Sequence, residues 1–138
     1  MSQKNYMVFK VGEEEFGVDV ADTVSIILLP AITRVPKAPE YIKGVINLRG
    51  EIIPVMDLRE RFGRKVENTE ETRVIIFNVD EAPIGCIVDS VSEVLQLPQE
   101  NVKGVSELGD NMVEEYIFGI AKIDSRVISL VDLEKLVA

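Results

Sequence analysis

Histidine and tryptophan are absent from this chain, and cysteine occurs once in 138 residues. Each absence removes a class of chemistry. Histidine is the side chain whose ordinary pKa suits proton transfer near neutral pH. It is also the commonest metal ligand, so a zinc site would need carboxylates alone or the lone Cys86. Ser25, Ser90, Ser92 and Ser106 have no imidazole to activate them as nucleophiles. Gly104 and Gly109 match no phosphate-binding loop. The expectation is a non-enzyme with no catalytic residue, no metal and no cofactor. A single cysteine closes no internal disulfide, which suits a reducing compartment. Its setting, Ile84-Gly-Cys-Ile-Val88, predicts a buried, inert thiol.

Positive charge is also scarce. Lys and Arg total 15 against 24 Asp and Glu, a net charge of −9. That balance argues against nucleic acid and against adhesion to anionic lipid. Long apolar runs are missing: the longest uncharged stretch, Val24 to Ile32, contains a proline and is too short to span a bilayer. Met1 to Asn5 leads into a strand-like run without a signal-peptide core. These features predict a cytoplasmic protein.

What the chain does have is an internal repeat. Gly44-Val-Ile-Asn-Leu-Arg-Gly-Glu-Ile-Ile-Pro-Val-Met-Asp-Leu58 aligns without a gap with Gly119-Ile-Ala-Lys-Ile-Asp-Ser-Arg-Val-Ile-Ser-Leu-Val-Asp-Leu133 (119 − 44 = 75). Apolar residues meet apolar residues throughout, and both copies close with Asp-Leu. Only the first carries the tip Leu48-Arg49-Gly50; Asp124-Ser125 replace Arg49-Gly50 in the second. Earlier in each half, Val8-Phe-Lys-Val-Gly-Glu13 lies over Ile76-Phe-Asn-Val-Asp-Glu81 (77 − 9 = 68). The two offsets differ by seven residues (75 − 68), so an insertion falls between Pro98 and Phe118, where the composition predicts a mobile loop.

Alternating β-prone segments give five strands per half. Tyr6–Val11, Phe16–Val20 and Thr23–Leu29 open the first; Arg73 opens the second. Pro30, Pro36 and Pro39 predict loop or edge structure around a short strand at Ile32–Val35, and Pro54 predicts an edge or bulge. Asp57 with Glu60 reads as a capping-box variant opening a brief helix that stops near Phe62-Gly63. The whole predicts an all-β chain of one domain, 1–138, built from two small β-barrel lobes, roughly 6–66 and 72–138, with short helices. Lobes of this size bury too little surface alone, so they should share a seam, with edge strands able to exchange.

With catalysis set aside, recognition remains. The Glu13–Glu15 run reads as a solvated turn, Glu114-Glu115 as exposed residues of the insertion, and Asp57 and Asp132 as helix caps. Arg49 is either an interface anchor, by its planar donor fork, or a plain polar hairpin tip. The run Thr23–Ile32 is either a buried central strand or an exposed apolar patch for a partner.

The segments Ile32-Thr-Arg-Val-Pro36, Pro39-Glu-Tyr-Ile-Lys-Gly44, Asn47-Leu-Arg-Gly50 and Pro54-Val-Met-Asp-Leu58, with Phe16-Gly-Val-Asp19 and Val88-Asp-Ser-Val-Ser-Glu-Val94, resemble the signature of the CheW family of chemotaxis coupling proteins. The resemblance spans nearly the whole chain in order. It implies two five-stranded SH3-like barrels and a cytoplasmic adaptor, recruited to receptor arrays. The implied partners are the tips of methyl-accepting chemoreceptors and the histidine kinase CheA, through its CheW-like regulatory domain. By position, it implies receptor contacts at Thr23, Arg49, Val91 and Val94, and kinase contacts at Ile32, Arg34 and Gly44. Ser25 stands where the family often has Glu, and Leu28 where a polar or basic residue is common. The same domain also occurs in CheA and, joined to a receiver, in CheV; a chain ending at Ala138 reads as a stand-alone coupler. Two alternatives remain open here: a coupler in a non-chemotactic receptor–kinase pathway, and a small-molecule-binding double barrel.

Overall fold

The computed structural model describes residues 3–39, 41–104 and 115–137. The first half supplies β1 (Gln3–Val11), β2 (Glu14–Asp19), β3 (Thr23–Leu28), β4 (Ile42–Leu48), β5 (Glu51–Asp57) and the single-turn helix α1 (Leu58–Arg61). The second supplies β6 (Arg73–Val79), β7 (Ala82–Val88), β8 (Ser90–Pro98), β9 (Val102–Gly104), β10 (Ile117–Ile123), β11 (Arg126–Val131) and α2 (Leu133–Val137). The fold is all-β, in two sheets ordered β8-β1-β2-β11-β10-β9 and β3-β6-β7-β5-β4.

The sheets do not follow the halves of the chain. The boundaries 6–66 and 72–138 describe the sequence repeat, whereas lobe one is built from 23–88 and lobe two from 3–19 with 90–137. The unit that crosses over is a whole hairpin, β1–β2 in one direction and β6–β7 in the other. Both crossovers are sealed by a parallel pairing. Leu130 faces Gly17 on one side and Val55 faces Gly85 on the other, in identical register at offsets of 75 and 68. Gly17 permits its side of this approach, since a Cβ there would lie 3.2 Å from Leu130; at Gly85 a Cβ would lie 3.4 Å from Val55 and be crowded chiefly by Val74 of β6, at 3.0 Å.

Each lobe has its own small core. Ile46, Ile53, Val55, Val74, Ile76 and Ile87 fill lobe one. Tyr6, Val8, Leu97, Ala121, Ile128 and Leu130 fill lobe two. The largest cluster belongs to neither, running from Phe9, Phe16 and Val18 through Phe62, Phe77 and Cys86 to Tyr116, Val131 and Leu136. This is the expected shared seam. Cys86 is wholly buried within it, and burial pushes its thiol pKa up to about 12.

Local expectations meet mixed outcomes. Asp57 caps α1 by accepting from the Arg59 amide at 2.9 Å, and Gly63 follows with φ +70°. Asp132 caps α2 in the same way. The capping box does not close, because Asp57 N–H donates to Tyr41 O and the Glu60 carboxylate turns to Lys43. Of the two readings of Thr23–Ile32, the buried central strand is not the one found. The β3 portion of this run is the edge strand of its sheet, with Val24, Ile26 and Leu28 facing solvent. Ile32–Val35 forms only a single bridge, Thr33 to Val45. Pro54 lies in an interior strand, but the ladder of β5 to β7 starts at Val55, so its missing N–H interrupts nothing. The insertion's expected mobile loop falls mostly at 105–114, as does Glu114, outside the described residues; Glu115 is exposed.

Candidate interaction surfaces

Two sheet edges begin at the seam. Thr23 opens β3 opposite Phe77, and Val91 lies in β8 opposite Phe9. The rings of Phe9 and Phe77 are 6.4 Å apart, so the two half-buried residues are pseudo-equivalent across the seam (91 − 23 = 68). Thr23 Oγ1 is buried and has no hydrogen-bond partner among the described residues. Further along the edges, Ile26 and its equivalent Val94 (94 − 26 = 68) are exposed. Edge strands carry unpaired backbone groups, and here apolar side chains accompany them.

Arg49 lies apart from this seam. It occupies the tip of the β4–β5 hairpin in the left-handed region, φ +55°, with Gly50 at φ +85°. Asn47 Oδ1 accepts the Gly50 amide at 3.0 Å and holds the turn. The neighbouring Leu48 packs with Ile27, Leu29 and Ile32 on the lobe-one core, toward the far end of β3. Arg49 itself is exposed and makes no ion pair among the described residues. Exposed Ile52 stands beside it on β5.

Ile32, Arg34 and Gly44 are brought together. Thr33 N donates to Val45 O at 2.9 Å, and Val45 N returns to Thr33 O at 2.8 Å. Gly44 fits beneath with φ +144°; a Cβ there would lie 1.9 Å from Thr33 O. Beside this bridge opens a cavity of about 820 Å³. Leu29, Ile32, Ile42, Val66 and Ile87 give it apolar walls, and Arg34, Lys37 and Lys43 give it a cationic mouth.

Buried Arg59 closes the floor. Its Nε and Nη2 bind the two oxygens of Asp57 at 2.9 and 3.1 Å. Nη1 reaches Glu67 O at 3.1 Å and Asp89 Oδ1 at 3.3 Å, and Nη2 also reaches Asn68 Oδ1 at 2.8 Å. Burial is the largest single influence and works against its charge, but the hydrogen bonds and charges of Asp57 and Asp89 together hold the pKa above its ordinary value. The site therefore has a firm, fully satisfied base and adaptable charge only at its mouth. Among the described residues no group of three or more His, Cys, Asp or Glu could hold a metal ion.

Residues 5–138 match the CheW-like domain. The chemotaxis protein CheW of Klebsiella aerogenes is 37% identical over 136 residues, 98% of this chain and 82% of that protein. The CheW of Bacillus subtilis is 35% identical over 91% of this chain and 81% of its own length. The chain belongs to the CheW family. Its fold agrees: the scaffolding protein TtCheW of Thermoanaerobacter tengcongensis superposes with a TM-score of 0.88 at 35% identity, covering 98% of this chain and 92% of that one.

Seen as a CheW-family chain, its sequence-expected contact residues fall into three places: the seam edges (Thr23, Val91, Val94), the hairpin tip (Arg49) and the bridge (Ile32, Arg34, Gly44). Sequence reasoning missed Arg59, Lys37 and Lys43. It also missed an acidic depression of about 410 Å³ where the β6–β7 turn meets lobe two, lined by Asp19, Asp22, Asp80, Asp132 and Glu134 with Lys4. The signal was available in the repeat, which sets Glu134 over Arg59 (134 − 59 = 75).

Proposed function

We propose that this chain is a non-catalytic adaptor that couples methyl-accepting chemoreceptors to the histidine kinase CheA in chemotaxis signalling. The observation that carries the reading is the match of the CheW-like domain across residues 5–138, upheld by the fold likeness to a scaffolding CheW. The absence of histidine, with a thiol raised to about 12, supports the non-catalytic part. No described helix is long and apolar enough to cross a membrane, which fits work in the cytoplasm, at arrays beneath the membrane.

In this reading the seam edges at Thr23, Val91 and Val94 receive one face of the receptor's helical tip, a helix-in-groove mode. The unpartnered Thr23 hydroxyl and exposed Val94 are suited to it. Arg49, away from the seam at the β4–β5 hairpin tip, offers its exposed guanidinium as a separate receptor contact. The bridge surface at Ile32, Arg34 and Gly44 meets the kinase's CheW-like regulatory domain. Each contact can be small, near the ~1,200 Å² lower bound of stable interfaces, because arrays raise effective concentration.

The test is paired pull-down with receptor-tip and kinase fragments. Arg49→Glu should lose receptor capture while keeping kinase capture and an unchanged melting profile. Undiminished receptor binding would remove Arg49 from the interface. In reconstituted receptor membranes, kinase activity that ignores this chain would end the coupling reading altogether.

A further inference from the structure

Four strands end the two sheets, β8 and β9 in one, β3 and β4 in the other. Three of them are guarded against pairing with another chain. β9 is three residues long and carries Lys103. β4 carries Lys43, and the Thr33 bridge lies along it. β8 exposes Ser92, Glu93 and Gln96. β3 has none of these guards: Thr23-Val-Ser-Ile-Ile-Leu28 holds six residues, no charge and no proline. Its ladder irregularity falls at Thr23/Ser25 and leaves Ile26–Leu28 regular. The repeat sharpens the contrast. At the offset of 68, β8 sets Ser92 over Val24, Glu93 over Ser25 and Gln96 over Leu28. The same edge is polar in lobe two and apolar in lobe one, where Val24, Ile26 and Leu28 are 59, 40 and 69% exposed.

We infer that β3 pairs antiparallel with β3 of a second copy, giving a weak, reversible two-fold dimer through one shared sheet. The pairing does not depend on the coupling reading. One consequence does rest on it: the pair occupies the Thr23 edge, so a receptor tip seated there displaces the second copy.

The strand fits its own copy. A two-fold axis at Ile26 sets Ile26 opposite Ile26 and Val24 opposite Leu28. Directly opposed residues of an antiparallel pair share a face, so the three exposed side chains of one copy meet those of the other. Asp22 falls opposite Pro30, so no carboxylate meets a carboxylate. Such an isologous contact needs only one self-complementary patch. A strand also satisfies the outer N–H and C=O groups of β3, which among the described residues pairs with β6 alone. Two copies of net charge −9 repel each other, and a charge-free edge is where they can approach. The contact is short, so its dissociation constant should lie between ~1 μM and ~1 mM.

Sedimentation equilibrium of the full chain tests this. The mean mass should rise with concentration from 15.4 kDa toward twice that value, and rise further with salt, which screens the repulsion. Leu28→Lys should stay monomeric; the side chain is exposed, so folding should persist, and Val24→Lys serves if it does not. Residues opposed across an antiparallel pair have Cα atoms about 4.5–5.5 Å apart, within the reach of a disulfide. Ile26→Cys should therefore give disulfide-linked dimers under mild oxidation, and Val94→Cys, its equivalent on β8, should not. Cys86 is buried and supplies no competing thiol. A receptor-tip fragment should return the wild type to single chains. A monomer at every concentration, a dimer untouched by the lysine variants, or equal crosslinking from both positions would overturn the inference. So would association that weakens as salt rises, which would assign the contact to opposite charges, or an intact dimer that holds the tip fragment. A fragment that binds neither the wild type nor Leu28→Lys would count against the coupling reading, and the mass and crosslinking results would still decide the pairing.

Discussion

The largest fully buried side chain in this protein is a charged one, Arg59. Desolvating an ion pair costs several kcal/mol, and the attraction recovers it only where every remaining donor is satisfied. Arg59 meets that condition, tying α1 to the 64–72 segment and, through Asp89, to the β1–β2 turn, where Asp89 Oδ2 accepts from Gly12 N at 2.6 Å. Arg59→Ala would leave Asp57 buried and unpaired at a cost of about 3–5 kcal/mol, measurable by urea unfolding. A loss under about 1 kcal/mol would show that Asp57 finds water or protonates cheaply. A second pair sets an acid response. Glu15 accepts two hydrogen bonds from Arg126, at 2.6 and 3.1 Å, and these hold its pKa below the ordinary 4.5 despite some burial. A carboxylate with a lowered folded-state pKa adds stability above its unfolded value, and that stability is lost as pH falls through the folded one. The stability advantage of wild type over Glu15→Gln should therefore be constant near neutrality and shrink below about pH 4.5. A difference independent of pH would remove the pair from the acid response.

Single segments show how the hairpin β4–β5 came to carry two surfaces at once. Its tip presents Arg49 in a left-handed turn, while its root at Gly44 accommodates the Thr33 bridge. Alanine at 44 would be strained at φ +144° and would overlap Thr33 O, so the bridge must open. Gly44→Ala should cost about 2–3 kcal/mol in thermal or urea unfolding, with accelerated amide exchange at Thr33 and Val45. Retained protection at both amides would contradict the packing argument. The strands themselves were legible from the sequence because the offsets of 68 and 75 repeat their apolar pattern. The bridge strand adds an intermediate value, since Thr33 pairs with Val45 as Lys103 pairs with Ile120 (103 − 33 = 70). The insertion is thereby divided, two residues before β9 and five after it. The hairpin crossover was not legible. A repeat reads identically whether β1–β2 stays with its own half or crosses; the pairings β1–β8, β3–β6, β2–β11 and β5–β7 distinguish the two. Nor could alternation alone assign β3 to an edge, because that depends on which strand lies beyond it.

Across the molecule, crossed hairpins and a common seam make neither lobe an independent unit, and one side chain is placed to register them. Arg61 extends from α1 between the rings of Tyr41 and Tyr116, its guanidinium carbon 5.3 and 5.1 Å from their centroids. Its Nε donates to Leu136 O at 3.1 Å. The two tyrosines are repeat equivalents (116 − 41 = 75), as are Arg61 and Leu136 (136 − 61 = 75). Both tyrosine carbonyls accept from the helix-capping aspartates, Asp57 and Asp132. Arg61 thus grips the same structural feature in both lobes, with Phe62 stacked on Tyr116 at 4.9 Å beneath it. Each cation–π contact contributes about 0.5–2 kcal/mol according to exposure, and the hydrogen bond adds about 1 kcal/mol. Arg61→Ala should lower global stability by about 2–3 kcal/mol, with the loss concentrated in one place. Amides of α2 and of Tyr116–Ile117 should exchange faster in native conditions, while Val55, Val74 and Ile87 in the lobe-one core keep their protection. Uniform loss of protection in both lobes would mean that Arg61 supports the global fold rather than the register of one lobe on the other. Lys at 61 keeps the charge but not the planar fork that stacks between two rings, so Arg61→Lys should restore only part of the α2 protection.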